Sequence, residues 1–152
     1  MGGHSEAVEI LLENGADPTI ADGDGLIPLM SAAENGSVAT LKALLNHVED
    51  PDYVNLISNT GFSSLIIAAA HGHVDAVEYL LDNGAQADAV HENKVTALMY
   101  AAAAGHLDAM KMLIEKGKAD LEFKHTNGGT ALLEASTAGM HDAIVLLLES
   151  GA

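Results

Sequence analysis

No cysteine occurs in the 152 residues, which excludes disulfide frameworks and thiolate chemistry. Tryptophan is also absent, and with only two Phe and three Tyr the chain cannot rest its core on large rings. Leu and Ala must supply that burial, and both favour short, close-packed helices over a sandwich or barrel. Basic side chains are scarce: six Lys and Arg stand against 22 Asp and Glu, a formal net charge of -16. Such a surface repels a nucleic-acid backbone, whose binding rests on cations that neutralise phosphates. An anionic lipid surface is disfavoured for the same reason. A basic protein surface is attracted, although the same charge also serves simply to keep an apolar chain in solution. No run approaches the roughly 18 consecutive apolar residues of a membrane span. Met1-Gly2-Gly3-His4-Ser5-Glu6 has neither the basic nor the apolar part of a secretion signal. The expectation is an intracellular protein, cytoplasmic or nuclear, with no membrane insertion and no nucleic-acid partner.

What the chain does have is a period. Gly3, Gly36, Gly72, Gly105 and Gly139 each precede a leucine by eight residues, at Leu11, Leu44, Leu80, Leu113 and Leu147. In four of these windows a second glycine follows, at Gly15, Gly84, Gly117 and Gly151, while Val48 takes that place in the remaining one. An independent feature runs in step. Leu29-Met30-Ser31-Ala32-Ala33 aligns with Leu65-Ile66-Ile67-Ala68-Ala69, Leu98-Met99-Tyr100-Ala101-Ala102 and Leu132-Leu133-Glu134-Ala135-Ser136. Two features kept in register over the whole chain mark a repeat protein.

The sequence resembles the ankyrin-repeat family from end to end. Its plainest closing segments are Leu11-Leu12-Glu13-Asn14-Gly15-Ala16-Asp17 and Leu80-Leu81-Asp82-Asn83-Gly84-Ala85. The family's Thr-Pro-Leu-His signature has drifted. Ile27-Pro28, Ser63-Ser64, Thr96-Ala97 and Thr130-Ala131 stand at the Thr-Pro place, and Met30, Ile66, Met99 and Leu133 at the His place. The signature histidine's hydrogen bond is therefore lost, and apolar packing between neighbouring repeats is expected in its stead. The resemblance implies an all-α repeat solenoid of stacked helix-turn-helix pairs joined by β-turn or hairpin fingers. A single domain over 1–152 divides into a partial repeat with only its second helix (1–21), a repeat with an enlarged loop (22–57), two further repeats (58–90 and 91–124) and a terminal one (125–152). Neither end looks like a purpose-built polar cap, so the expectation is about four and a half repeats from a larger protein.

The third repeat shows the expected local chemistry. Thr96 caps a helix over about residues 97–103, Gly105 breaks the chain, and a second helix runs over 107–115. Leu107, Met110, Leu113 and Ile114 make its apolar face, and Gly117 is expected to stop it with a positive φ. The 46–55 stretch is about three residues longer than the period calls for, and Pro51 interrupts any helix there. It sets Glu49, Asp50 and Asp52 around Tyr53. As an enlarged loop it serves either as neutral padding or as extra binding surface.

In this family partners are usually held by the fingers and the exposed face of the first helices. Carried over repeat by repeat, that implies Gly23, Asp24, Leu26, Glu34 and Asn35; then Asn59, Thr60, Phe62, Ala70 and His71. The third repeat adds Glu92, Asn93, Val95, Ala103 and Ala104, and the last adds Thr126, Asn127, Gly129, Thr137 and Ala138. Leu26, Phe62 and Val95 share one finger position and form either an apolar binding row with Phe62 as an exposed anchor, or a seam packing finger on finger. Tyr100 is expected to pack on its helix face with the hydroxyl at the surface. Asp22, Asp24, Glu34, Glu49, Asp50, Asp52 and Glu92 place negative charge along this side, which suits a basic peptide or protein. His71, His91 and His125 lie there too.

No cofactor, metal or catalytic residue is expected. His71-Gly72-His73 with Asp75 has ligand chemistry, but His4 and His106 repeat the position of His73, so the fold explains it better. Asp22-Gly23-Asp24-Gly25 lacks the later ligands of a calcium loop. No His-Glu-x-x-His or phosphate loop occurs, and Ser31, Ser63 and Ser136 have no base and orienting group. The function implied is a non-catalytic, monomeric scaffold binding a partner protein or peptide. Its alternatives are a regulatory or targeting part of a larger enzyme, channel or signalling protein, and a structural or self-associating spacer.

Overall fold

A computed structural model describes residues 3–90 and 93–152. Among them lie nine α-helices and one 3-10 turn, with no extended pairing beyond a single antiparallel bridge between Ile57 and Ser63. In chain order these are α1 (Gly3–Glu13), α2 (Pro28–Glu34), α3 (Val38–His47), the 3-10 turn (Pro51–Asn55), α4 (Ser64–Ala70), α5 (Val74–Asp82), α6 (Ala97–Ala104), α7 (Leu107–Glu115), α8 (Ala131–Ala138) and α9 (His141–Glu149). The first helices α2, α4, α6 and α8 stack as one layer and α1, α3, α5, α7 and α9 as the other. This is the all-α solenoid that the resemblance implies.

None of these helices exceeds 11 residues, too short to persist alone in water. Burial against the neighbours holds them, and the sequence places small residues where the layers meet. Ala33, Ala68, Ala69, Ala101, Ala102 and Ala135 are fully buried. Starts are marked by hydroxyls: Ser63, Thr96 and Thr130 accept from the backbone N–H groups of Ile66, Met99 and Leu133. Ile27 offers no such cap, and Pro28 opens α2 instead, where its missing N–H costs nothing.

The drifted signature behaves as expected in three repeats. Met30, Ile66 and Met99 are buried in the shared core. Met99 also brings its sulfur to 3.5 Å from the Thr96 N–H. Leu133 differs, at 54 % exposed, because no described helix stacks on the far side of α8.

Hydrogen bonding between repeats has moved to another pair of histidines. Nε2 of His73 lies 2.9 Å from the Glu34 carbonyl, and Nε2 of His106 lies 3.1 Å from that of Ala70, so each ring bolts a second helix to the end of the preceding first helix. Gly36 and Gly72 make this possible. Both have positive φ, and a Cβ on either would come within 2.7 Å of the incoming imidazole. His71 stacks on His73, with ring centroids 5.9 Å apart.

One sequence expectation needs correction, and two further features emerge only from the structure. Gly117 does not carry the positive φ that ends α7; Lys118 does, at 54°. Glycine is needed at 117 for space, since a Cβ would meet the Leu113 carbonyl oxygen at 2.7 Å. Leu11 does not share the fate of Leu44, Leu80, Leu113 and Leu147. It is 58 % exposed, because no described first helix lies beside α1, and Leu12 turns into the α1–α3 contact instead. Finally, the 46–55 stretch is anchored and is not a slack insert. Tyr53 is 2 % exposed and donates its hydroxyl to the Pro18 carbonyl at 3.0 Å, with Val54 buried beside it. Asn55 reaches the next repeat, donating to the Gly84 carbonyl and accepting from the Gln86 N–H. Glu49, Asp50 and Asp52 are left exposed.

Candidate interaction surface

Three of the fingers are closed turns built by one rule. In the first, second and fourth fingers the first residue uses a side-chain acceptor to hold the backbone that follows. Asp22 accepts from the N–H groups of Asp24 and Leu26, the Ser58 hydroxyl from Phe62, and His125 Nδ1 from Asn127 at 3.1 Å. Such residues satisfy turn amides locally. The first finger is then laced to the second and the third to the fourth. The Asn59 N–H donates to the Asp24 carbonyl at 3.0 Å and the Thr126 N–H to that of Asn93 at 3.2 Å. The surface is therefore pre-set before any partner arrives.

The expected site residues divide into three groups. Asp24, Glu34, Asn93 and Asn127 are exposed, and their side chains hold no other group among the described residues. Asn35, Asn59, Thr60, His71 and Thr126 are exposed but engaged. Asn35 and His71 each close a first helix by bonding back to the carbonyl four residues earlier, Ser31 and Ile67. Asn59 and Thr126 lace the fingers, and Thr60 pairs with the Ser58 hydroxyl. Leu26, Phe62 and Val95 form the third group and are half-buried against the core. Phe62 is thus not the exposed anchor of the sequence expectation. Its ring packs on Tyr100, centroids 5.4 Å apart and tilted by 43°. Leu26 and Val95 share this packing role. Glu92 and His91 lie outside the described residues.

One cavity concentrates the site. A notch of about 430 Å³ opens between the third finger, the fourth finger and the faces of α6 and α8, and brings Asn93, Val95 and Asn127 together with Tyr100, His125 and Glu134. Of the last three, the sequence placed His125 on this side but assigned neither Tyr100 nor Glu134 to the site. Tyr100 and Glu134 occupy the same helical position as Ser31 and Ile67, so alignment alone held the signal that this column lines the inner face. Tyr100 shields its ring from solvent, and burial pushes its hydroxyl pKa up. His125 faces Glu134 with Nε2 and Oε1 3.1 Å apart. The ring fits because the other fingers' apolar residue is replaced by Gly129, where any Cβ would collide with the imidazole.

A second cavity of about 440 Å³ lies at the ends of α1 and α3, between Leu12, Asp17, Pro18 and His47, and holds none of the expected site residues. The outer layer otherwise carries an ion-pair cluster. There Lys116 bridges α7 to Glu78 at 3.1 Å and Asp82 at 2.8 Å, and these two carboxylates hold its pKa above the ordinary lysine value. Among the described residues no group of three His, Asp or Glu is arranged around a common metal position, and no helix is long and apolar enough to cross a membrane.

The chain is similar in sequence to known proteins. The chain is 32 % identical over 94 residues to human Ankyrin repeat and SOCS box protein 3, a match covering 62 % of the chain and 18 % of that protein. It is 33 % identical over 94 residues to human Transient receptor potential cation channel subfamily A member 1, covering 59 % of the chain and 8 % of the channel subunit. Human NF-kappa-B inhibitor alpha is 33 % identical over 87 residues, covering 55 % of the chain and 27 % of the inhibitor. The chain therefore matches less than a third of the length of each of these relatives. A family profile of ankyrin repeats in three copies matches residues 1–91 and 83–152. With the period, the paired helices and the laced fingers agreeing, this chain belongs to the ankyrin-repeat family, whose repeats are protein-interaction modules.

Proposed function

We propose that the chain is a non-catalytic scaffold that works as a monomer inside the cell and binds a partner protein or peptide with a basic surface through its fingers and first-helix face. The observation that carries this reading is the row of exposed groups, Asp24, Glu34, Asn93 and Asn127, on a backbone fixed by bonds between repeats. Rigid presentation lowers the ordering cost of association, and the net charge of -16 steers a basic partner toward it. The test is capture from lysate by the wild type beside an Asp24→Lys/Glu34→Lys variant of unchanged helicity. The captured protein is then identified and titrated in purified form. Binding lost in the variant and weakened by salt supports the surface; equal, salt-independent binding by both removes it.

Two other readings rest on separate observations. The small share of each relative that the chain matches favours a regulatory or targeting part of a larger enzyme, channel or signalling protein. The exposure of Leu11 at one end of the stack and of Leu133 and Leu148 at the other favours a self-associating spacer, which requires mass in solution to rise with concentration.

A further inference from the structure

We propose that the notch between the third and fourth repeats is an arginine pocket: it takes the guanidinium of one partner side chain between the Tyr100 ring and the Glu134 carboxylate. The inference rests on the protein-binding reading and adds the chemical identity of the anchoring residue.

Hydrogen bonding fixes the orientation of the acid. The Asn127 N–H donates to His125 Nδ1, so that nitrogen carries no proton and Nε2–H is left to donate to Glu134 Oε1. Glu134 is thereby held in one orientation while its second oxygen accepts from no group among the described residues. The carboxylate is partly sheltered, with its side chain 34 % exposed and that of His125 15 % exposed. A neutral donor orients the acid without neutralising its charge.

The walls suit a flat cation on an alkyl stem. Tyr100 packs on the ring of Phe62, which lines no part of the notch, and this contact helps to position it. Val95 offers apolar surface to methylene groups, and about 430 Å³ is ample for one long side chain. A guanidinium stacks on an aromatic face and donates in its own plane to a carboxylate, which a compact ammonium does less well. The lysines flanking the two fingers, Lys94 and Lys124, are exposed and line no part of the notch. The other three positions of the Glu134 column, Ser31, Ile67 and Tyr100, carry no charge, so the acid occurs once along this face.

The experiment is an NMR titration of the isotope-labelled chain with Nα-acetyl-arginine N-methylamide in the millimolar range, beside the corresponding lysine and citrulline derivatives. Citrulline keeps the shape of arginine and removes its charge. The expected result is saturable movement of the amide signals of Tyr100, Gly129 and Glu134, tightest for arginine, weaker for lysine and undetectable for citrulline. Glu134→Gln, which can still accept from His125, should weaken the arginine response about three- to tenfold, as for a partly exposed charged hydrogen bond. Tyr100→Leu should erase the preference for arginine over lysine. Equal responses to arginine and citrulline, movement elsewhere with these signals still, or an undiminished response in Glu134→Gln each overturn the proposal. If Glu134→Gln retains the captured partner while Asp24→Lys/Glu34→Lys loses it, the pocket is refuted and the scaffold reading stands.

Discussion

Replacing Tyr53 with Phe tests whether the long acidic stretch is a structural strap or padding. The side chain is 2 % exposed, and its hydroxyl donates at 3.0 Å to the carbonyl of Pro18, 35 residues earlier. Removing the hydroxyl forfeits about 0.5–1.5 kcal/mol of net hydrogen bonding, and leaving the sheltered carbonyl unpartnered raises the cost to about 1–3 kcal/mol. For a domain of this size that lowers Tm by roughly 2–12 °C. The hydroxyl should also leave a signature in pH. Burial pushes its pKa from 10.0 up to about 12. A raised pKa means the unfolded chain ionises first, so the contribution is complete below pH 10 and is lost as pH rises toward 12. The assay is urea and thermal unfolding followed by circular dichroism at neutral pH and across that alkaline window, with Asp52→Asn as control. Asp52 is exposed, and its replacement should stay within about 0.5 kcal/mol. Tyr53→Phe should be less stable at neutral pH and lose less between pH 10 and 12. A variant as stable as wild type, with the same alkaline loss, would refute the strap.

The register supplies a sharper contrast. Leu113→Ala should cost about 2–5 kcal/mol, because the side chain is fully buried, whereas Leu11→Ala at the equivalent position should cost under about 0.5 kcal/mol; denaturant midpoints compare them directly. At the end of α7, Gly117→Ala should destabilise by about 1–3 kcal/mol through crowding of the Leu113 carbonyl. Lys118→Gly should be neutral or stabilising by up to about 1 kcal/mol, since it relieves a left-handed backbone at φ 54°. Thermal melts showing the reverse order would restore Gly117 as the conformational stop. Gly129→Ala should drive the His125 ring off Glu134, seen as shifted His125 side-chain resonances and a loss of arginine response with helicity kept.

The sequence by itself determined the period, the two-helix unit and the places where units join. Those are local matters: Gly36 and Gly72 interrupt the chain wherever they fall, Thr96 and Thr130 cap whatever helix follows, and apolar spacing names the face to be buried. The solenoid and the 107–115 helix were therefore legible without coordinates. Burial was not, because it depends on what stands opposite. Leu11 and Leu113 share a register and differ wholly in exposure, since only one has a described first helix beside it. Phe62 reads as an exposed ring until Tyr100, 38 residues on, is seen to pack against it. The candidate site divides in the same way. Alignment placed Asn93, Val95 and Asn127 on the surface, but only the meeting of two repeats set them around one notch with Tyr100, His125 and Glu134. A side chain's type is written in its own residue, whereas its company is settled by stacking between repeats about 33 residues apart, and a site consists of company.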